Sequence, residues 1–329
     1  MGIRAYLVNE EYQDPLLFVQ FDGHREALLF DCGYLFPLKM RDIQRITSIF
    51  ISHTHFDHFM GFDHILRLSL EQQKRMELYG PLNFVQQAAC KLGGYSWNLC
   101  GNLELDFVAC EVQDGSMAEA ELKGREAYRL SAMSSRPFIG GLLKEHPLYT
   151  VSAAVLDHRI PSLAFSVKEK DSLRAKNEAL EKLGLAPGPW VGELKELAEG
   201  GDYGDRSLTV EGRTYPAKAL IDTVLEEKRG RKISYVVDTI FNKETVKRIV
   251  ALAGGSDDFY CEAAYLTAEK EKARENYHLT AKQAGILARE ARVGKLIPIH
   301  FSKRYDKRYG ELIEEARREF PCVELGQKY

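Results

Sequence analysis

The segment His53-Thr54-His55-Phe56-Asp57-His58 constrains the fold more than any other stretch of the chain. It places three imidazoles and one carboxylate within six positions, directly after the apolar, β-branched run Ile46-Thr47-Ser48-Ile49-Phe50-Ile51-Ser52. A strand that ends in such a cluster delivers polar side chains to the edge of a sheet, where a loop can fold them around a cation. Imidazole and carboxylate suit zinc and similar borderline divalent ions. No thiolate lies in the cluster, which favours an open catalytic site over a closed structural one.

Three further β-like runs end in a ligand-type residue. Ala153-Ala154-Val155-Leu156 leads to Asp157-His158, Tyr235-Val236-Val237 to Asp238, and Leu296-Ile297-Pro298-Ile299 to His300. A single histidine at a strand end is more often packed or solvated than metal-bound. Three such ends downstream of an H-x-H-x-D-H cluster point to one convergent site.

The bulk properties leave room for that site in an ordinary globular chain. The 329 residues suffice for one large domain or two ordinary ones, and 45% hydrophobic content provides a core. The net charge of -3 argues against a broadly basic surface. Two local basic clusters, Arg229-Arg231-Lys232 and Lys303-Arg304-Lys307-Arg308, fit either solvated faces or nucleic-acid contacts. None of the cysteines forms C-x-x-C, so no zinc ribbon or thioredoxin motif is indicated. From Met1-Gly2-Ile3-Arg4 onward no signal peptide is expected, and no apolar run reaches bilayer-crossing length. The expected compartment is the cytoplasm, with no membrane partner.

The pattern of elements is α/β. Leu16–Phe21 and Ala27–Asp31 read as a hairpin around Asp22-Gly23. Helical spacing runs from Phe62 to Glu77, and Pro81 is expected to open a second helix. Leu105–Val112, Ala127–Leu130 and Tyr149–Leu156 read as strands, and Ser131–Pro147 as a loop. Residues 168 to 232 differ in character: a charged helix over Ser172–Leu183, the breaker Pro187-Gly188-Pro189, a helix from Trp190, and a Gly-rich stretch at 200 to 204. They are expected to form an insertion projecting from the body and lacking a core of its own. Strands and helices then alternate to the end of the chain, which argues for a layered α/β fold.

At this point the sequence resembles the metallo-β-lactamase superfamily, whose main motif is H-x-H-x-D-H followed by a later His, Asp and His. Within it the chain is similar to ribonuclease Z, the tRNA 3′-processing endonuclease family. The resemblance rests on Asp157-His158-Arg159-Ile160-Pro161-Ser162-Leu163-Ala164-Phe165, Ala186-Pro187-Gly188-Pro189, Cys261-Glu262-Ala263-Ala264, His278-Leu279-Thr280, and Ile299-His300-Phe301-Ser302 followed by Arg304-Tyr305. It covers roughly residues 27 to 309 and implies an αβ/βα four-layer sandwich with a helical arm, the exosite, at 168 to 232. It further implies that His53, His55 and His158 hold one divalent ion, that Asp57, His58 and His300 hold the other, and that Asp238 bridges both. Zinc is the expected metal, and His and Asp ligands also accept iron or manganese. The implied reaction is attack of a metal-bound hydroxide on a phosphodiester. Asp57 would orient or deprotonate the water, and Glu262 with His278 would protonate the leaving oxygen. Asp31 matches an acid that supports the His loop from behind. The expected partners are a precursor tRNA and a second copy of the chain, paired through or near the arm.

The departures from the family are specific. Tyr6 to Pro15 lacks the Pro-x-Lys-x-Arg-Asn loop that monitors the tRNA 3′ end, and is acidic instead. Phe56 stands where the family has a small residue. Leu279 replaces the Ser of H-S-T, and Ala264 the Thr of H-E-A-T. Glu193, Glu196 and Glu199 dilute the charge of Lys195 in the arm, and affinity for tRNA rests largely on phosphate neutralisation. The alternative expectation is therefore a hydrolase of the same fold acting on a small ester or cyclic nucleotide. A non-catalytic relative predicts lost ligands, and none is lost.

Overall fold

Alternating apolar residues build the first sheet. β1 (Ile3–Leu7), β2 (Leu17–Phe21) and β3 (Ala27–Phe30) pair antiparallel in turn, with Gly23 at φ 77° in the expected hairpin turn. β4 (Ile46–Phe50), β5 (Lys74–Pro81) and β6 (Leu105–Gln113) add in parallel. β7 (Ser116–Lys123) and β8 (Ser134–Pro137) extend the sheet antiparallel to eight strands. The parallel pairs are joined through helices: α1 (Met40–Ile43) after β3, α2 (Phe56–Phe59) and α3 (Phe62–Ser69) after β4, and α4 (Phe84–Gly93) after β5. This computed structural model describes residues 2–201 and 203–329. Met1 and Asp202, the latter inside the Gly-rich stretch read from the sequence, lie outside the described residues.

The second sheet begins with β9 (Leu142–Glu145), β10 (Tyr149–Asp157) and β11 (Pro161–Glu169). After β11 the chain forms a separate compact unit, Glu169–Gly230. There β12 (Ser172–Ala175) is followed by α5 (Asn177–Leu183) and α6 (Pro189–Gly200), the hairpin β13 (Ser207–Val210) and β14 (Arg213–Pro216), α7 (Ala217–Val224) and β15 (Leu225–Lys228). The first unit resumes with β16 (Lys232–Val236), which pairs antiparallel with β11, then α8 (Lys243–Ala253), β17 (Asp258–Glu262), α9 (Lys270–Glu275), α10 (Ala281–Glu290), β18 (Lys295–Ile299) and α11 (Tyr309–Glu319). β16, β17 and β18 run parallel, giving the order β18-β17-β16-β11-β10-β9.

Three apolar clusters explain the layering of the first unit. One lies between the sheets and joins Leu28, Phe30 and Phe50 to Leu163, Phe165, Tyr235 and Ile299. Another packs Phe62, Ile65 and Phe84 of the helices onto the outer face of the first sheet through Ile49, Leu78 and Phe107. The third packs Ile249, Ala284, Leu287 and Leu312 onto Val236, Phe259 and Leu296 of the second sheet. The layers run helix, sheet, sheet, helix, as the resemblance implied. In the middle, the rings of Phe30, Phe50 and Tyr79 stack across three neighbouring strands with centroids 4.9 Å apart in each pair. Burying each such ring contributes roughly 1.5–3 kcal/mol. Phe30 directly precedes Asp31 and Phe50 lies three residues before His53, so the stack firms the floor on which the site stands.

Several local expectations are corrected. The helix read over Phe62–Glu77 ends at Ser69, because Met76 and Leu78 alternate inward in β5. Pro81 closes that strand, and α4 starts only after Asn83, whose φ of 73° turns the chain. Ala127–Leu130 is no strand: Ala127 and Tyr128 adopt φ of 57° and 53°, and only Leu130 bridges to Leu122. The stretch read as a loop, Ser131–Pro147, contains β8 and β9. The helix read over Ser172–Leu183 begins only at Asn177, since Ser172–Ala175 pairs with β15. The segment read as coreless has its own core of Leu180, Leu185, Leu194, Leu208, Leu220 and Val224, among others. Apolar residues spaced along its short helices close on its two strand pairs. Among the described residues, no helix is long and apolar enough to cross a membrane.

Candidate metal centre

The site is assembled at strand ends by sharp turns of the backbone. Asp31, Asp238 and His300, which follow β3, β16 and β18, adopt φ of 56°, 48° and 55°. Non-glycine residues seldom occupy this left-handed region, and Asp and His are among those that tolerate it. Each turn stops the strand and swings one polar side chain over the sheet edge. The His loop follows β4 and is fastened by Cys32 N–H to His58 O and Gly61 N–H to Cys32 O, both 2.8 Å. Gly61 cannot carry a side chain, because a Cβ there would lie 2.1 Å from Gly33 O.

All nine residues singled out from the sequence come together. Asp238, 2% exposed, is the hub. Its Oδ2 faces Nε2 of His58 at 3.1 Å, of His53 at 3.3 Å and of His158 at 3.8 Å. Its Oδ1 faces Nδ1 of His300 at 2.8 Å. His53 Nε2 and His55 Nδ1 are 2.9 Å apart. Asp57 Oδ2 stands 3.5 Å from His58 Nε2 and 3.6 Å from His300 Nε2. Ligand atoms lying within 4.8 Å of one another define three sets: His53, His55, His158 and Asp238; Asp57, His58 and His300; and Asp238, Glu262, His278 and His300. In the third set Glu262 is already committed. Its Oε1 accepts from Thr239 N–H and Leu279 N–H at 3.0 Å each, and its Oε2 meets His278 Nδ1 at 2.9 Å. The first two sets are therefore the ones with donors to spare.

A buried network fixes the imidazoles from behind. Asp31 accepts from Ser52 N–H at 2.7 Å, Ser52 Oγ–H at 2.9 Å, His58 Nδ1–H at 2.8 Å and Tyr235 Oη–H at 2.8 Å. Ser52 Oγ also lies 3.1 Å from His53 Nδ1. His158 Nδ1–H donates to Tyr277 O at 2.8 Å. A hydrogen bond at Nδ1 fixes the tautomer and turns Nε2 toward a cation. Ser52, Tyr235 and the carbonyl of Tyr277 were missed in the sequence, where nothing separates them from ordinary strand or loop residues.

The electrostatics show a place that wants positive charge. Burial lowers the His58 imidazolium pKa, but the carboxylates of Asp31 and Asp238 outweigh it and push the pKa up to about 10. His300 is raised well above its ordinary value, with Asp238 overcoming burial. His53, buried and facing the charge of His58, is pulled down to about 2 and stays neutral, as a ligand must. Burial would raise Asp57 and Asp238, yet the facing histidines hold both below the usual carboxylate range. His58 Nε2, Asp238 Oδ1 and His300 Nδ1 are buried without a well-angled hydrogen bond. Buried polar atoms are normally satisfied. Two orphaned nitrogens and an orphaned carboxylate oxygen gathered in this way fit metal binding. The residues present can hold metal ions.

Glu262 and His278 form a distinct pair beside this cluster. Glu262 is fully buried and held below its ordinary pKa, as His278 overcomes the cost of burial. His278 is raised in turn: Glu262 and Asp238 outweigh burial. The pair therefore favours the charged form of His278, whose Nδ1 is engaged by Glu262. The capping box expected at Thr280 and Gln283 is present, with its cap two residues after His278 and α10 starting at Ala281, which fixes the backbone beside the imidazole.

Comparison with known proteins agrees with this architecture. Residues 3–104 match the family model described as "Anti-Pycsar protein Apyc1". The chain is 32% identical to ribonuclease Z of Archaeoglobus fulgidus, over 100% of this chain and 94% of the relative. It is 29% identical to ribonuclease Z of Deinococcus radiodurans, over 99% and 98%. The fold is shared with human tRNase Z, short form, at a TM-score of 0.56 and 21% identity, covering 100% of this chain and 97% of that one. It is also shared with the metallo-beta-lactamase fold protein YhfI of Bacillus subtilis, at a TM-score of 0.59 and 12% identity, covering 100% and 98%. With a four-layer sandwich, a His/Asp cluster at its strand ends and a full-length relative of this similarity, the chain belongs to the ribonuclease Z family.

Proposed function

We propose that the protein is a metal-dependent endoribonuclease that removes 3′ trailers from precursor tRNA. The observation that carries this reading is the convergence of His53, His55, His158, Asp57, His58 and His300 around the single carboxylate of Asp238. The first three would hold one ion and the next three the other, with Asp238 facing both, and zinc is the metal we assign. Two ions bound there would make a water nucleophilic near neutral pH and neutralise charge on the phosphodiester. The chain supplies the rest. Asp57 would orient or deprotonate the attacking water. His278, whose charged form Glu262 favours, would give its Nε2 proton to the leaving oxygen. Ser52, Asp31 and Tyr235 hold the imidazoles in place, so no reorganisation is needed as charge develops.

Three accompanying assignments rest on the family. We assign the chain to the cytoplasm as a homodimer, with the unit Glu169–Gly230 gripping RNA for the active site of the partner subunit. Light scattering of the purified protein tests the dimer. Replacing the unit with a short turn tests the grip: precursor-tRNA cleavage should fall while hydrolysis of a small diester persists.

A second reading, hydrolysis of a small ester or cyclic nucleotide, is favoured by one observation. Tyr12, Gln13 and Asp14, from the stretch that lacks the basic tRNA-monitoring loop, border the cleft beside Asp57 and His300. The match to the Apyc1 model spans this same segment and the His loop. The deciding experiment is cleavage of a precursor tRNA bearing a 3′ trailer, set against bis-p-nitrophenyl phosphate. Discrete cutting at the trailer supports the first reading. Turnover of the small diester with intact tRNA would replace it with the second.

A further inference from the structure

Phe56 is the first residue of α2, between His55 and Asp57, and it is 79% exposed. Phe59 and Phe62, which follow it, are buried at 7% and 0%. A lone exposed apolar side chain is ordinary on a protein surface. This one, however, lines the cleft of about 420 Å³ that opens over the metal centre, together with Asp57, His278 and His300. The other aromatic walls of that cleft are already packed. Tyr12 stacks on Tyr309 at 4.8 Å, Tyr309 on Phe301 at 5.6 Å, and the Arg304 guanidinium lies over Tyr265 at 5.2 Å. Among the described residues Phe56 makes no ring contact. A large, unpartnered aromatic face therefore stands beside the residues that would act on a phosphodiester. Lys303 lines the same cleft, exposed and without an ion pair among the described residues.

We infer that Phe56 is the stacking surface for a nucleobase attached to the phosphodiester bound at the metal centre. The inference deepens the function proposed above and rests on phosphodiester hydrolysis, but it holds for an RNA or a small nucleotide. A cleft of this volume accommodates a single nucleotide-sized ligand. A π-face tolerates every base, so the platform favours nucleotide esters over base-free ones without reading sequence. Lys303 supplies a cation for the adjacent phosphate. Asp14, on the same wall, disfavours a second phosphate close to it, which directs the polyanionic strand past Lys303.

The experiment compares two esters with the same leaving group, thymidine 5′-(p-nitrophenyl phosphate) and methyl p-nitrophenyl phosphate, on the metal-loaded protein. The wild type should favour the nucleoside ester in kcat/KM. Phe56→Ala should shrink that preference by roughly 5- to 100-fold, mainly through KM, and Phe56→Tyr should restore most of it. An undiminished preference in Phe56→Ala, or an equal fall on both esters, would overturn the inference. Metal content measured on each variant separates loss of stacking from damage to the neighbouring ligands. Wild-type cleavage of precursor tRNA is assayed in parallel. Its absence would remove the tRNA reading and leave the comparison of the two esters intact.

Discussion

The hydroxyl of Tyr235, on β16, donates to Oδ2 of Asp31, at the end of β3, across 204 residues of sequence and 2.8 Å of space. The same oxygen receives His58 Nδ1–H. One sheet thus holds the acid that orients an imidazole of the other, three residues before its own contribution, Asp238.

Removing that hydroxyl isolates its role. Tyr235→Phe keeps the ring in the inter-sheet core and takes one donor from Asp31. Partners behind a metal ligand are worth about 10- to 100-fold in metal affinity. We expect zinc binding, read by competition with a chromogenic chelator, to weaken by about that factor while the far-UV spectrum is kept. Wild-type affinity in the variant would show that Ser52 alone suffices to hold Asp31.

Ligand deletions should report which ion each residue holds. The purified protein should carry about two ions per chain. His158→Ala should affect the set with His53 and His55, and His58→Ala the set with Asp57 and His300. Each variant is expected to lose metal and nearly all hydrolysis. Turnover equal to the wild type in His58→Ala would contradict the assignment.

The pair Glu262 and His278 should separate chemistry from metal binding. His278→Ala is expected to lower kcat by about 10²- to 10⁴-fold and to retain the metal content of the wild type. Glu262→Gln should lower kcat too, since the charge that favours protonated His278 is gone. A larger effect on an ester with a poor leaving group than on a p-nitrophenyl ester is expected, because only the former needs a proton. Equal effects on both esters would remove His278 from that role.

A pH-dependent contribution to stability lies in α1, before β4, at the end of that strand away from the His loop. Asp42 accepts from Tyr329 Oη–H at 2.5 Å and Arg45 at 3.1 Å, while residues 327–329 are hydrogen-bonded to Leu7 of β1. Burial would raise the Asp42 pKa, but Tyr329, Arg45 and Arg41 lower it below its ordinary value of 3.8. A carboxyl with a depressed folded pKa stabilises the native state fully above that ordinary value, and the effect is lost as pH falls through the folded one. Asp42→Asn should cost about 1–2 kcal/mol at pH 7, and the gap from wild type should close below pH 3.8. Urea midpoints from pH 3 to 7 measure it; a gap independent of pH would assign the loss to packing.

The clustering of imidazoles and carboxylates at strand ends was legible because such a cluster needs particular residue types in particular places. His53, His55, His58, His158, Asp238 and His300 each follow an apolar run, and a run of that kind has few ways to end. Less legible was whatever depended on a distant partner. Lys74-Arg75-Met76-Glu77-Leu78 has good helix formers, and its strand state comes from pairing with β4 and β6. Ser172–Ala175 reads as helix until β15 arrives from more than fifty residues away to pair with it. Tyr235 looked like any buried strand residue, since its hydroxyl acquires meaning only from Asp31. In such places tertiary pairing overrides local propensity, and a single chain read left to right has no access to it.

The unit Glu169–Gly230 leaves the second sheet after β11 and returns in β16, and Lys168 and Lys232 face each other in the ladder between those strands. Its two ends are therefore neighbours joined by a pairing the sheet would make without it. An ordinary hairpin turn could close the same gap. The segment is attached in the manner of an interchangeable cassette, so a change in its length or composition leaves intact the sheet that carries the strand-end cluster.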